Sequence, residues 1–159
     1  MNILSVIIIL LSRALLILIF LPFSAFDKIA NFRPAVAQAA TVFQVRTVAV
    51  VAILAALFVE IIMSLAVLTG IADRMAALIL ALYCLITAGL WKQFWKIRSF
   101  SLLGSSSNRD LFWDFLKNLA LAGGLLMLAF GGGVSGFRAF LAHPMASSHP
   151  YVLIGDEHQ

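Results

Sequence analysis

The stretch TVAVVAILAALFVEIIMSLAVLTG, residues 47–70, carries one charge, Glu60, among apolar and small side chains. A helix needs about 20 largely apolar residues to cross the hydrocarbon core of a bilayer, so this stretch reads as a membrane span. Its apolar residues run on without alternating, which argues against a transmembrane β-strand. Three further spans follow the same logic: residues 3–26, interrupted by Arg13, residues 75–95 and residues 115–137. The third is uncharged from Met75 to Trp91, and the fourth from Asn118 to Phe137. Only the turn Thr69-Gly70-Ile71-Ala72-Asp73-Arg74 separates the second span from the third, so these two form a hairpin. The fold class predicted is an all-α membrane protein, a four-transmembrane-helix antiparallel bundle over residues 1–137 with a tail over residues 138–159.

Composition points the same way. Of 159 residues, 63% are hydrophobic and 11% charged, against about 25% charged in soluble domains. A chain this short leaves much of its area exposed, which disfavours a soluble enzyme, a disordered linker or a nucleic-acid-binding domain. The net charge of +4 has a simpler origin than a nucleic-acid partner, because basic residues collect at the cytoplasmic ends of membrane helices. Lys28, Arg33 and Arg46 lie between spans one and two, and Lys92, Lys96, Arg98, Arg109 and Lys117 between spans three and four. Only Arg74 and Arg138 fall on the other side. This bias places both long connections in the cytoplasm and both termini on the extracytoplasmic side, as in a multi-pass protein of the bacterial inner (cytoplasmic) membrane. Cleavage after Ala37-Gln38-Ala39 as a signal peptide is disfavoured: the N-terminus has no basic region, and Arg13 interrupts its apolar stretch.

The charges inside the spans are the most informative residues. An ionisable group at that depth costs several kcal/mol unless it is paired inside the bundle. Arg13 lies about ten residues from the outer start of span one and Glu60 about ten from the outer end of span two, so both sit roughly 15 Å deep. An Arg13–Glu60 ion pair is therefore expected. On a helical wheel Ser24 lies about 20° from Arg13, Asp27 about 40° to one side and Lys28 about 60° to the other, with Pro22 a potential kink. Ser64 follows Glu60 by one turn, and Tyr83, Cys84 and Thr87 are neighbours on span three. Lys117 and Asn118 stand with Asp114 at the cytoplasmic entry of span four, where Ala120 and Gly124 are spaced for close helix contact. Arg13, Ser24, Lys28, Glu60, Ser64, Lys117 and Asn118 are thus the candidate pocket residues of a polar seam. The seam either locks helix pairing or forms a pocket for a lipid headgroup, a quinone carbonyl or a transported proton.

Other signals are weaker. Trp91, Phe94, Trp95, Phe112 and Trp113 are placed as interfacial anchors, or with the nearby lysines as a docking surface for anionic lipid or a partner. Residues 103–108 read as a flexible loop, and residues 31–44 as an interfacial segment or early helix. His143, His149 and His158 match no metal-ligand spacing, and no histidine lies within a span to ligate haem. Gly131-Gly132-Gly133 belongs to a helix end, not to a phosphate loop. Cys84 reads as a small hydrophobe. Neither a catalytic set nor an intrinsic cofactor is expected.

Three blocks of sequence resemble the DoxX family of small four-helix membrane proteins. The first is Ser12-Arg13-Ala14-Leu15-Leu16 through Phe20-Leu21-Pro22-Phe23 to Lys28-Ile29 and Phe32. The second is Val59-Glu60-Ile61-Ile62, then Leu65 to Gly70 and Arg74-Met75-Ala76-Ala77-Leu78. The third is Phe115-Leu116-Lys117-Asn118-Leu119-Ala120-Leu121-Ala122-Gly123-Gly124-Leu125-Leu126. The chain departs from the family at Ser24-Ala25-Phe26, where a glycine is common, and at Trp91-Lys92-Gln93, where a histidine often precedes a Phe-Trp pair. The resemblance implies a small integral membrane subunit or accessory protein of a quinone-linked respiratory or other redox assembly, with quinone or bound lipid as its ligand. Membrane lipids, other membrane subunits or a second copy are then its partners. Two alternatives are an independent small transporter or proton-coupled carrier and a quinone-reactive oxidoreductase.

Overall fold

A computed structural model describes residues 3–96 and 107–151, and every regular element among them is a helix. Four helices are long and apolar enough to cross a membrane: Ile3–Ala30, Arg46–Thr69, Asp73–Lys96 and Arg109–Phe130. Their outward faces carry large apolar side chains, among them Ile7, Leu15, Val51, Phe58 and Ile86. An apolar surface on this scale is a liability in water and fits a multi-pass membrane protein.

The first span is not one straight helix. It comprises α1 (Ile3–Ile17), a kinked segment over Ile19–Ser24 and α2 (Ala25–Ala30). The break centres on Leu21, whose φ of −122° and ψ of 116° are extended. A proline disfavours helical angles in the residue before it and has no N–H to donate, so Pro22 accounts for the irregularity. After it the helix resumes and runs to Ala30, past the expected end at residue 26.

Residues 31–44 contain a separate amphipathic helix, α3 (Phe32–Phe43), with Pro34 in its first turn. Its Val36 and Ala39 bury against Ala49 and Ile53 of α4 (Arg46–Phe58). The second span continues through a π-helical turn, Val59–Met63, into α5 (Ser64–Thr69). The kinked segment of span one and this π-helical turn pack against each other, which brings Ser24 opposite Glu60. Gly70 ends α5 at a φ of 81°, a left-handed conformation that glycine adopts without steric cost. The third span, α6 (Asp73–Trp91), follows directly, and a short 3-10 turn over Phe94–Lys96 succeeds it.

The fourth span differs from its expected bounds at both ends. α7 runs over Ser107–Phe130, rather than 115–137. At its start the polar residues Asn108, Arg109 and Asp110 extend the helix beyond the apolar window that marked it. At its end Gly131 and Gly132 adopt φ values of 66° and 72°, terminating the helix well before Phe137. α8 (Val134–Ala142) then crosses the expected domain boundary at residue 137. It is held by edge-to-face contacts of Phe130 with Phe137 and Phe140, at 5.1 and 5.3 Å between ring centroids. Of the 103–108 segment, residues 103–106 lie outside the described residues, as do Arg98 and His158.

The main core lies where α6 and α7 meet α1 and α5. Leu80, Val67 and Leu125 are fully buried there among Ala76, Ala77, Ala81, Ala122 and Ala129. Small side chains let the helix backbones approach closely, which is how membrane helices gain packing energy. Gly124 serves that purpose: a Cβ there would stand 3.0 Å from the Leu16 side chain. Ala120 is exposed and takes no part in it. Cys84 is buried in this core.

Candidate functional site

The two buried charges expected to pair with each other do not. Glu60 pairs with Lys28, whose Nζ lies 2.7 Å from Oε1. The Ser24 hydroxyl donates to the same oxygen at 2.8 Å and the Tyr83 hydroxyl at 2.7 Å. Lys28 also donates to the Ser24 oxygen at 2.6 Å, so α2, the second span and α6 are tied together around one carboxylate. Arg13 instead reaches the start of α6, where Nη2 meets Asp73 Oδ2 at 2.6 Å. Its Nη1 donates to the Val67 carbonyl, also at 2.6 Å.

The register of the helices explains the correction. Equal counting from the outer ends of spans one and two placed Arg13 level with Glu60. The structure sets Arg13 against Val67, seven residues beyond Glu60 and about 10 Å further along a helix. Span one thus projects past the hairpin. The partner of Glu60 comes from beyond the Leu21 break, at Ser24 and Lys28.

Around Glu60 lies a cavity of about 590 Å³, within the range of small-molecule sites. Ser24, Lys28, Glu60, Lys117 and Asn118 all line it, together with Tyr83 and Thr87. Most of the wall is apolar and comes from residues such as Ile19, Phe20, Ile53, Ala56 and Leu121. α3 contributes Ala35, Gln38, Ala39 and Phe43, so this amphipathic helix closes one side. The Trp91 indole N–H donates to the Gln38 carbonyl at 3.4 Å, which links α3 to the end of α6. Near that end Lys92 and Asp114 form an ion pair of 2.9 Å. Lys117 is 3.4 Å from the same aspartate and largely exposed, while Asn118 donates to the Asp114 carbonyl.

Glu60 is 1% exposed, yet only Oε1 is engaged. Its second oxygen, Oε2, has no hydrogen-bond partner among the described residues. A buried, unsatisfied acceptor is costly, and carboxylate oxygens more so than neutral ones. The same side chain lines the cavity.

Two of the candidate residues stand apart. Arg13 belongs to a cluster at the other end of the bundle, and Ser64 is buried outside the cavity lining, its hydroxyl without a partner among the described residues. Asp27 does not join the seam; it accepts from Asn31 at 2.8 Å on an exposed surface.

The Arg13 cluster contains residues that the sequence reading passed over. Asp73 is 0% exposed, although it lies in the short turn between two spans. It accepts from the Ser148 N–H at 2.8 Å and from the Ser148 hydroxyl, which in turn accepts from Arg13 at 2.9 Å. Ser147 accepts from the Ala72 N–H at 2.9 Å, and the Tyr151 hydroxyl donates to the Leu68 carbonyl at 2.6 Å. The tail beyond α8 thus folds back over the α5–α6 hairpin. No periodicity or motif marks Ser147 and Ser148 in the sequence, which is why they escaped notice.

The aromatic side chains near the Lys92 end pack on one another. Phe94 meets Trp95, Phe112 and Phe115 edge to face at 5.2, 5.0 and 5.5 Å between centroids. Trp95 and Trp113 remain about half exposed, as interfacial anchors are.

No family model, curated protein or solved structure matches the chain. The chemistry of the site is therefore read from its own residues.

Proposed function

We propose that the chain binds a lipophilic molecule with a polar head, a quinone or a lipid, in the cavity beside Glu60. In this reading it is a small accessory subunit of a quinone-linked redox assembly in the bacterial inner membrane, as the DoxX resemblance implies. The four spans form an antiparallel bundle with both termini extracytoplasmic. The Lys92–Asp114–Lys117 end then lies at the cytoplasmic surface, in agreement with the excess of basic residues in the connections there. Redox chemistry, if the assembly performs it, is supplied by the partner subunits.

One observation carries this reading: a largely apolar cavity of about 590 Å³ contains a buried carboxylate with one oxygen unsatisfied. Apolar walls with a few convergent polar groups are the usual composition of a small-molecule site. A role confined to helix locking needs the Lys28–Glu60 pair but not the space around it.

Trp91 lines the cavity and gives a direct test. A short-chain benzoquinone, which quenches indole fluorescence, is titrated into the protein in detergent micelles. Saturable quenching is expected, lost in Trp91→Phe and weakened at least tenfold in Ala56→Trp, which fills the wall. Quenching that rises linearly and ignores both substitutions overturns the reading. For the assembly, stoichiometric co-purification of another membrane subunit in mild detergent is the expected result, and a chain that always runs alone refutes it.

A further inference from the structure

We propose that the lipid-facing side of α7 binds a phospholipid with a net negative head. Lys117 and Trp113 take the phosphate, and one acyl chain runs along the helix into a groove between α7 and α8. This site is separate from the cavity beside Glu60 and goes beyond the reading given for it.

The head end is defined by an excess of cations. Lys92 and Lys117 both reach Asp114, at 2.9 and 3.4 Å, so two ammonium groups share one carboxylate. Over these ends of the third and fourth spans, Lys92, Lys96, Arg109 and Lys117 stand against Asp110 and Asp114, four charges against two. Lys117 is the outlying member: its side chain is 74% exposed, although it lies within the span Arg109–Phe130. A lysine on the outside of a span needs a counter-charge at the membrane surface, which its long stem lets the ammonium reach. Trp113 precedes it by one turn on the same face and is also exposed; its indole N–H is a donor only. Ammonium and indole together suit the phosphate of a headgroup, and basic clusters at helix ends attract anionic lipids. A choline head brings its own cation to the same lysines and forfeits that advantage.

The chain end is defined by the surface further along α7. Leu116 and Met127 are exposed there, within about 60° of Trp113 on a helical wheel. Met127 also lines a groove of about 570 Å³ with Gly123, Phe130, Val134 and Phe137, and no polar side chain contributes to it. Met127 stands ten residues beyond Lys117, about 15 Å along the helix, which is the depth of one leaflet's acyl chains. Cationic site and groove are thus spaced as the head and chain of one lipid.

The test incubates the full chain in micelles with equal amounts of dioleoyl-phosphatidylglycerol and dioleoyl-phosphatidylcholine, and native mass spectrometry counts the lipid retained. The phosphatidylglycerol adduct is expected to exceed the phosphatidylcholine adduct about fivefold or more, the factor that one lysine supplies near an anionic head. Lys117→Gln, an exposed substitution, should bring the ratio toward one, and Lys117→Arg should keep it. Gly123→Trp fills the groove and should lower the phosphatidylglycerol adduct severalfold; a Cβ at this position meets nothing within 4 Å, so the fold accommodates the change. Lys117 also lines the Glu60 cavity, so Ala56→Trp, which fills that cavity, is the control and should leave the ratio unchanged. Equal retention on the unaltered chain, a ratio indifferent to Lys117→Gln, or a ratio lost in Lys117→Arg overturns the proposal. Loss of the preference in Ala56→Trp puts the lipid in the cavity and overturns it too. Retention indifferent to Gly123→Trp overturns the groove as the chain site. Failure of the benzoquinone titration bears on the cavity alone.

Discussion

Replacing Arg13 with methionine removes three hydrogen bonds at once: to the Val67 carbonyl at 2.6 Å, to Asp73 at 2.6 Å and to Ser148 at 2.9 Å. Methionine keeps much of the packing volume, so what changes is charge. Asp73 stays fully buried, with the Ser148 N–H and hydroxyl as its remaining donors. Breaking a buried pair by removing one partner costs about 3–5 kcal/mol, because the survivor is left uncompensated. Ser148 offsets part of that, which puts Arg13→Met near the lower bound, about 3 kcal/mol. Asp73→Asn strands the guanidinium in the same way and should cost a similar amount. The double variant buries neither charge, so it should be less damaging than the sum of the singles by about 2–3 kcal/mol. Denaturant unfolding in micelles, followed by circular dichroism, measures all four corners of the cycle. A parallel cycle with Arg13→Met and Glu60→Gln should be additive within about 0.5 kcal/mol, since the two side chains share no partner. Additivity at 13 and 73, or strong coupling at 13 and 60, would refute the assignment of the buried pairs.

Four other outcomes are expected. Ser148→Ala removes the hydroxyl bridging Arg13 and Asp73 and should cost about 1–2 kcal/mol, with faster proteolysis of the tail as the independent readout. Gly70→Ala meets Pro150 at 2.7 Å and is strained at a φ of 81°, so it should destabilise by about 1–2 kcal/mol and loosen the tail in the same assay. Lys92→Met breaks an ion pair whose side chains are about one-third exposed; unfolding should shift by no more than about 0.5 kcal/mol, in contrast to Arg13→Met. Tyr83→Phe takes one of three donors from Glu60 Oε1, and it should cost about 1 kcal/mol of stability while saturable quenching by the benzoquinone probe persists.

The spans were legible because length and apolarity in a bilayer admit few structures. The seam was legible for a related reason: a polar side chain inside a span must turn inward, and Ser24, Lys28, Glu60 and Asn118 line one cavity, whereas Lys117, which also lines it, stays largely exposed. Pairing was not legible. Counting residues from the membrane edge assumes straight helices with level ends, and both assumptions fail here. Leu21 interrupts the first span, a π-helical turn carries Glu60, and span one overshoots the hairpin. Asp73 was hidden by its position, since a charge in a two-span turn is ordinarily solvated. What buries it is the pair Ser147–Ser148, 75 residues further along, and no local pattern carries information over that separation. α3 was readable as an interfacial segment, but its place as a cavity wall depends on the packing of Val36 and Ala39 onto α4.

The most direct measurement of the binding role is a density map of the protein carried from its native membrane into lipid nanodiscs. Elongated non-protein density in the cavity, with a polar end beside Glu60, is the expected result. Side chains collapsed into the space, with Oε2 bonded to a residue of the chain itself, would contradict it.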